Sequence, residues 1–268
     1  MSRVLRSSYL PVLAASLAAV ASLTGTAAGS AAGVPATNRV SPGASTWSAH
    51  LGDADGVTAG VPVTVVGGAS YAFSSVVAGQ PVRWNPCAPI HWRANVARGP
   101  VGGLDVLKAA VAHIASTTGT TWVFDGVTLT VPSTAYLPTN PTNTNKPVLI
   151  GWTDGASSDL LRGQPAQVLG MTRTTWFGVD DGLGHRAAAT RAAVVALDRT
   201  DHLALRGVQS WSATALHELG HVMGLDHPAD SRQLMAATLP NVSTLQAGDN
   251  AGLKRLGRSA GCVTIPGA

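Results

Sequence analysis

Eleven residues from His217 to His227, His-Glu-Leu-Gly-His-Val-Met-Gly-Leu-Asp-His, restrict the fold of this chain more than any other stretch. On an α-helix, at about 100° per residue, His217 and His221 stand one turn apart on a shared face, so two imidazoles can converge on one ion. Glu218 projects about 100° around from His217, beside that ion but not directed to ligate it. Gly224, three residues after His221, suits a positive φ that ends the helix and turns the chain back, which brings His227 to the same ion. Three neutral imidazoles leave one position of a tetrahedral Zn²⁺ for water, the mark of a catalytic rather than a closed structural site. Leu216, Leu219 and Met223 fall on roughly the opposite side, so the helix is expected to bury one stripe and present its ligands on the other. Glu218 is the only glutamate among 268 residues. The alternative, a helix whose histidines are ordinary surface residues, requires three of them to fall at ligand spacing around that one acid by chance.

The chain on either side supplies what such a helix must pack against. Ser210 or Ser212 is placed to cap a helix running to Gly224. Leu104, Leu107, Val111 and Ile114 recur at helical spacing and stop before Gly119, a residue suited to a left-handed C-cap. Ser243 with Gln246 three residues on predicts a capping box and a third helix ending at Gly257. Ile90, Trp92 and Ala94 alternate with His91, Arg93 and Asn95, as in a strand with one buried face. Further strand-like runs are Thr121 to Val131, with Asp125 and Gly126 as a turn or bulge, then Val148 to Trp152, Val168 to Trp176 and Ala192 to Leu197. Strand, helix, several strands and helix predict an α/β fold with a mixed sheet.

Composition bounds the rest. Hydrophobic residues make up 45% of the chain and charged ones 12%, enough apolar surface for a core and too little charge for a disordered polymer. The net charge is +4, yet the arginines are scattered and not interleaved with aromatic residues, so nucleic-acid and acidic-lipid binding have no local support. Arg3 and Arg6 precede the apolar run Leu10 to Leu23, and small residues around Thr26, Ala27 and Ala28 resemble a cleavage site, so residues 1–29 read as a signal peptide of a secreted, extracellular protein. That run is shorter than the roughly 20 residues of a spanning helix, so a retained anchor is the weaker reading. Residues 30–80 read as an N-terminal extension that packs on the domain, serves as a pro-segment or links; 81–268 read as the catalytic domain, expected to be a monomer. Cys87 and Cys262, an even count in an exported chain, are expected to form a disulfide. Closing so long a loop contributes at most about 4 to 5 kcal/mol by chain entropy. The rival reading makes Cys87 an inhibitory zinc ligand.

The motif HExxHxxGxxH resembles the zinc signature of the metzincin peptidases. Met235 follows His227 after a short polar stretch containing Asp230, Ser231 and Arg232, in the position of that family's Met-turn. The wording HELGHVMGLDH, then Leu234-Met235, then LQAGDNAGLKRLG, is most similar to the matrixin branch; astacins place a tyrosine just after this methionine, where this chain has Ala236. The resemblance covers Val82 to Gly257. It implies a five-stranded, mostly parallel sheet with one antiparallel edge strand, packed with two long helices and a C-terminal helix. It also implies Val168 to Trp176 as that edge strand, pairing with an extended substrate, and Met235 as a hydrophobic floor beneath the zinc. The chain departs from animal matrixins in lacking a PRCGxPD inhibitory segment. His185 and His202 stand alone and read as ordinary polar residues, and Asp180 and Asp181 before Gly182 read as a turn more readily than as a Ca²⁺ site.

These features together predict a zinc endopeptidase acting on protein or peptide substrates, with Glu218 as general base. Two other classes stay open: a secreted zinc-containing binding module without proteolysis, and a hydrolase of cell-wall peptides.

Overall fold

The computed structural model of the chain describes residues 47–53, 63–64, 70–138, 146–180, 186–238 and 240–263. Residues 1–29, expected to be a signal peptide, and Asp181 and His185 lie outside them. In chain order the elements are β1 (Trp47–Asp53), β2 (Val63–Thr64), β3 (Ser70–Phe73), β4 (Val76–Val77), β5 (Gln80–Pro81), β6 (Ile90–Asn95), α1 (Gly103–Thr118), β7 (Trp122–Val127), β8 (Val148–Thr153), β9 (Gly170–Asp180), β10 (Arg186–Asp198), α2 (Trp211–Met223), β11 (Leu225–Asp226) and α3 (Ala247–Leu256).

The principal sheet has six strands in the order β1-β9-β10-β8-β6-β7. Pairs β6·β7, β6·β8 and β8·β10 are parallel, whereas β9 runs antiparallel to β10. The five expected strands and the antiparallel pair are therefore present. The difference lies at the edge: β1 pairs antiparallel with the outer side of β9, from Trp47↔Val179 to Asp53↔Arg173. An edge strand offers a row of unpaired N–H and C=O groups, which accept a further strand whatever its side chains.

Two apolar layers sandwich the sheet. On the helix side, Ile90, Trp92, Ile150, Val195 and Leu197 pack with Leu107, Ile114, Leu219 and Met223. On the other face, Leu149, Met171, Ala192, Val194 and Ala196 pack with Leu137, Leu160 and Leu161. β8 is buried at every position, because strands covered on both faces read as continuous hydrophobic runs. β6 shows the predicted alternation with one exception, since Asn95 is buried. Its amide is satisfied locally: Nδ2 donates to Thr130 O at 2.9 Å, and Oδ1 accepts from Ala97 N at 3.1 Å.

α1 ends at Gly119 with φ 67°, as its spacing predicts. α3 begins later than expected: its N-cap is Gln246, which forms the capping box with Asp249 instead of Ser243 with Gln246. Tyr71 and Phe73 of β3 are buried in the main core, so this end of the N-terminal extension packs on the domain. Cys87 and Cys262 form a disulfide with Cα atoms 5.4 Å apart, so the Cys87 thiol is not a metal ligand. No helix among the described residues is long and apolar enough to cross a membrane.

Candidate metal centre

α2 starts where Ser210, in an extended conformation, accepts a hydrogen bond from Ala213 N through its side chain. One point departs from the sequence reading: α2 is buried all round, including His217, Glu218 and His221 as well as Leu216, Leu219 and Met223. β9 and β10 cover it on one flank and α1 and α3 on another, so more than the one expected stripe is buried, while the ligands face a cleft as expected. The helix ends at Gly224, φ 113°. A Cβ there would also stand 2.8 Å from Val82 O, so conformation and space both call for glycine. The next residues, Leu225 and Asp226, pair with Phe73 and Ala72 of β3, and this short antiparallel ladder delivers His227.

The three imidazoles meet. Nε2 of His217, His221 and His227 are mutually 3.1 to 3.2 Å apart. Three nitrogens at Zn–N distances of about 2.0–2.1 Å in tetrahedral array are separated by roughly 3.3 Å, so the triangle fits such an ion. Nδ1 of His217 lies 2.7 Å from Leu234 O and Nδ1 of His221 lies 2.9 Å from Leu225 O. A carbonyl only accepts, which assigns each Nδ1 its proton and turns each Nε2 lone pair inward. Burial holds both rings neutral: it pushes His217 down to about 4 and His221 well below its usual value. Protons therefore compete little with a cation at neutral pH. His227 is half-buried and forms the solvent side of the triad. Among the described residues these three form the group suited to hold a metal; His202 is exposed and apart.

Met235 is 1% exposed and lies against α2 at Gly220, where a Cβ would meet its Sδ at 2.2 Å. The turn that carries it is fastened by one carboxylate. Asp249 accepts from Leu234 N and Gln246 N, each at 2.8 Å, and from Met235 N at 3.3 Å. Burial raises its pKa, and the three N–H groups pull the other way. Gln233 extends the clasp, accepting from Gly248 N at 2.8 Å and donating to Asp230 at 2.9 Å.

Glu218 is 5% exposed and faces β9, where Thr172 Oγ1 donates to its Oε2 at 2.6 Å. Sequence reasoning missed Gly170, Thr172, Gly220 and Asp249. Gly220 lay inside the motif as an unspecified position and Asp249 inside the stretch LQAGDNAGLKRLG, whereas nothing in the sequence around Thr172 marks it.

Residues 151–257 match the family model of the matrixins. The matched stretch runs from β8 through α3 and holds all three histidines, Glu218 and Met235. No curated protein matches the chain.

Proposed function

We propose that this chain, whose residues 151–257 match the matrixin family model, is a secreted zinc endopeptidase, with His217, His221 and His227 as ligands and Glu218 as general base. The observation that carries the reading is the triangle of inward Nε2 atoms at 3.1 to 3.2 Å, two of them on the helix that also carries the buried, hydrogen-bonded Glu218 carboxylate. A zinc ion held by this triad supplies Lewis acidity, lowering the pKa of water towards about 7 and polarising a carbonyl oxygen.

The protein's own groups do the rest. Glu218 accepts a proton as water attacks the peptide carbonyl and returns it to the departing amine, the two roles of one carboxylate in general base and general acid steps. The neutral triad keeps its lone pairs available throughout. β1 pairs with β9 only from Arg173 to Val179, so among the described residues Gly170–Thr172, beside Glu218, carry no outer strand. An extended peptide adding there by main-chain hydrogen bonds would bring its scissile bond to the carboxylate. Export is supported by the charged and apolar pattern of the N-terminus and by the Cys87–Cys262 disulfide, which belongs to oxidising compartments.

The test is hydrolysis of casein and of a proteome-derived peptide library, with metal analysis of the same preparation. The expected result is one zinc per chain, cleavage abolished by a chelator, and Glu218→Gln retaining zinc and fold while losing at least about 10³-fold in kcat, the loss expected when a general base is removed from an activated-water mechanism. Cleavage that survives in a clean Glu218→Gln preparation rejects the assignment. Zinc binding without cleavage of protein, peptide or cross-linked peptidoglycan by wild type points to the binding-module reading.

A further inference from the structure

The strand β9 meets the acid-bearing helix in an unequal way. Its side chains alternate: Met171 packs into the cluster on the far face of the sheet, so Gly170 and Thr172 face α2. Both touch Glu218. Thr172 is 2% exposed, and its Oγ1 lies 2.6 Å from Oε2 and 3.2 Å from the backbone carbonyl of Glu218. A hydroxyl has one proton, and the shorter, charge-assisted contact to the carboxylate takes it. At Gly170, a Cβ would stand 2.9 Å from Glu218 Oε1 and 3.0 Å from Cδ and Cγ. Two alternate positions of one strand therefore bear on opposite oxygens of the same carboxylate: Thr172 bonds Oε2, and Gly170 leaves room for Oε1 that a side chain would take.

We propose that Thr172 and Gly170 are positioning residues for Glu218. Thr172 holds Oε2 in place, and the missing side chain at Gly170 leaves the room that Oε1 occupies. The inference rests on the peptidase reading, because only there must one oxygen be held and the other deliver and receive a proton.

A carboxylate on a flexible two-carbon stem loses its aim when the anchor goes. Proton transfer is sensitive to displacement on the ångström scale, so the anchor acts on turnover more than on substrate binding. Thr172→Val keeps the branched shape and removes the hydroxyl; Thr172→Ser restores it; Gly170→Ala adds one methyl against the carboxylate.

The experiment uses the zinc-loaded protein and measures kcat and KM on a peptide cleaved by wild type, zinc retention against a competing chelator, and melting temperature. We expect Thr172→Val and Gly170→Ala each to lower kcat about 10- to 100-fold with KM changed less than about threefold. Thr172→Ser should return to within about threefold of wild type, and zinc retention should stay the same in all three. A Thr172→Val enzyme with wild-type kcat overturns the proposal, and so does a loss of rate that serine fails to restore while melting and zinc retention are intact. If a variant fails to fold, the other two decide by the same criteria.

A second readout does not depend on activity. Thr172→Val should change the melting temperature less in a Glu218→Ala background than in wild type, because the bond at issue is already gone. Equal shifts in the two backgrounds overturn the anchor. Wild type inactive on every substrate, with that coupling present, rejects the peptidase reading but leaves the Thr172–Glu218 contact standing.

Discussion

Gly220 shows how much a single hydrogen atom can decide. It occupies an unspecified position in the HExxHxxGxxH motif, yet Met235 passes so close that a β-carbon would meet its sulfur. Met235 is 1% exposed, so its thioether has to shift within a packed interior to make room. Overpacking a tight site of this kind costs about 1–3 kcal/mol. Gly220→Ala is therefore expected to lower unfolding stability by that amount in urea titration, and Met235→Ala should relieve part of the cost when the two are combined. Additive effects would show that the two residues do not share this space. The same residues mark the limit of what the sequence tells. His217, Glu218, His221, Gly224 and His227 sit within one helix and its turn, so local periodicity alone brings them together. Thr172 is 46 positions from its partner, and only the pairing of β9 with β10 sets it against α2.

At the scale of elements, the strands and helices were legible where side-chain period decides burial, as in β6 and α1, and less so where tertiary contacts override it. α2 reads as two-sided in sequence but is enclosed, because β9, β10, α1 and α3 all pack on it. α3 starts at Gln246 instead of Ser243 because Asp249 serves both as its capping partner and as the clasp for Met235. β1 was unreadable for a different reason: what recruits it is the open edge of β9, not its own pattern. The ends of the parallel strands are joined by charge. Asp154, just after β8, accepts from Arg199 Nε, just after β10, at 2.6 Å, and from Arg98 Nη1, just after β6, at 3.2 Å. Hydrogen bonding from Ser157 and then Arg199 holds the Asp154 carboxyl below its usual range. A depressed carboxyl pKa stabilises the fold above the unfolded value, near 3.9, and that contribution is lost as pH falls through the folded value. The melting temperature should fall as the medium is acidified from about pH 5 to pH 3, and Asp154→Asn should flatten that part of the curve. An unchanged slope in Asp154→Asn would assign the acid sensitivity to other carboxyls.

Across the whole molecule, Cys87 and Cys262 stand 175 positions apart in sequence, so the chain between them is a closed loop. Strands β6 to β10, all three helices, the three histidines and Glu218 lie inside it. A linear chain cut once falls into two pieces held only by packing, whereas a ring cut once is still a single thread. Arg206 is exposed in the segment between β10 and α2, where trypsin can reach it. A nick there should leave one species on a non-reducing gel and release a second fragment only after thiol is added; separation without thiol would mean the ring is open. The disulfide thus keeps the histidine-bearing helix moored to the sheet after a break that would otherwise set it adrift.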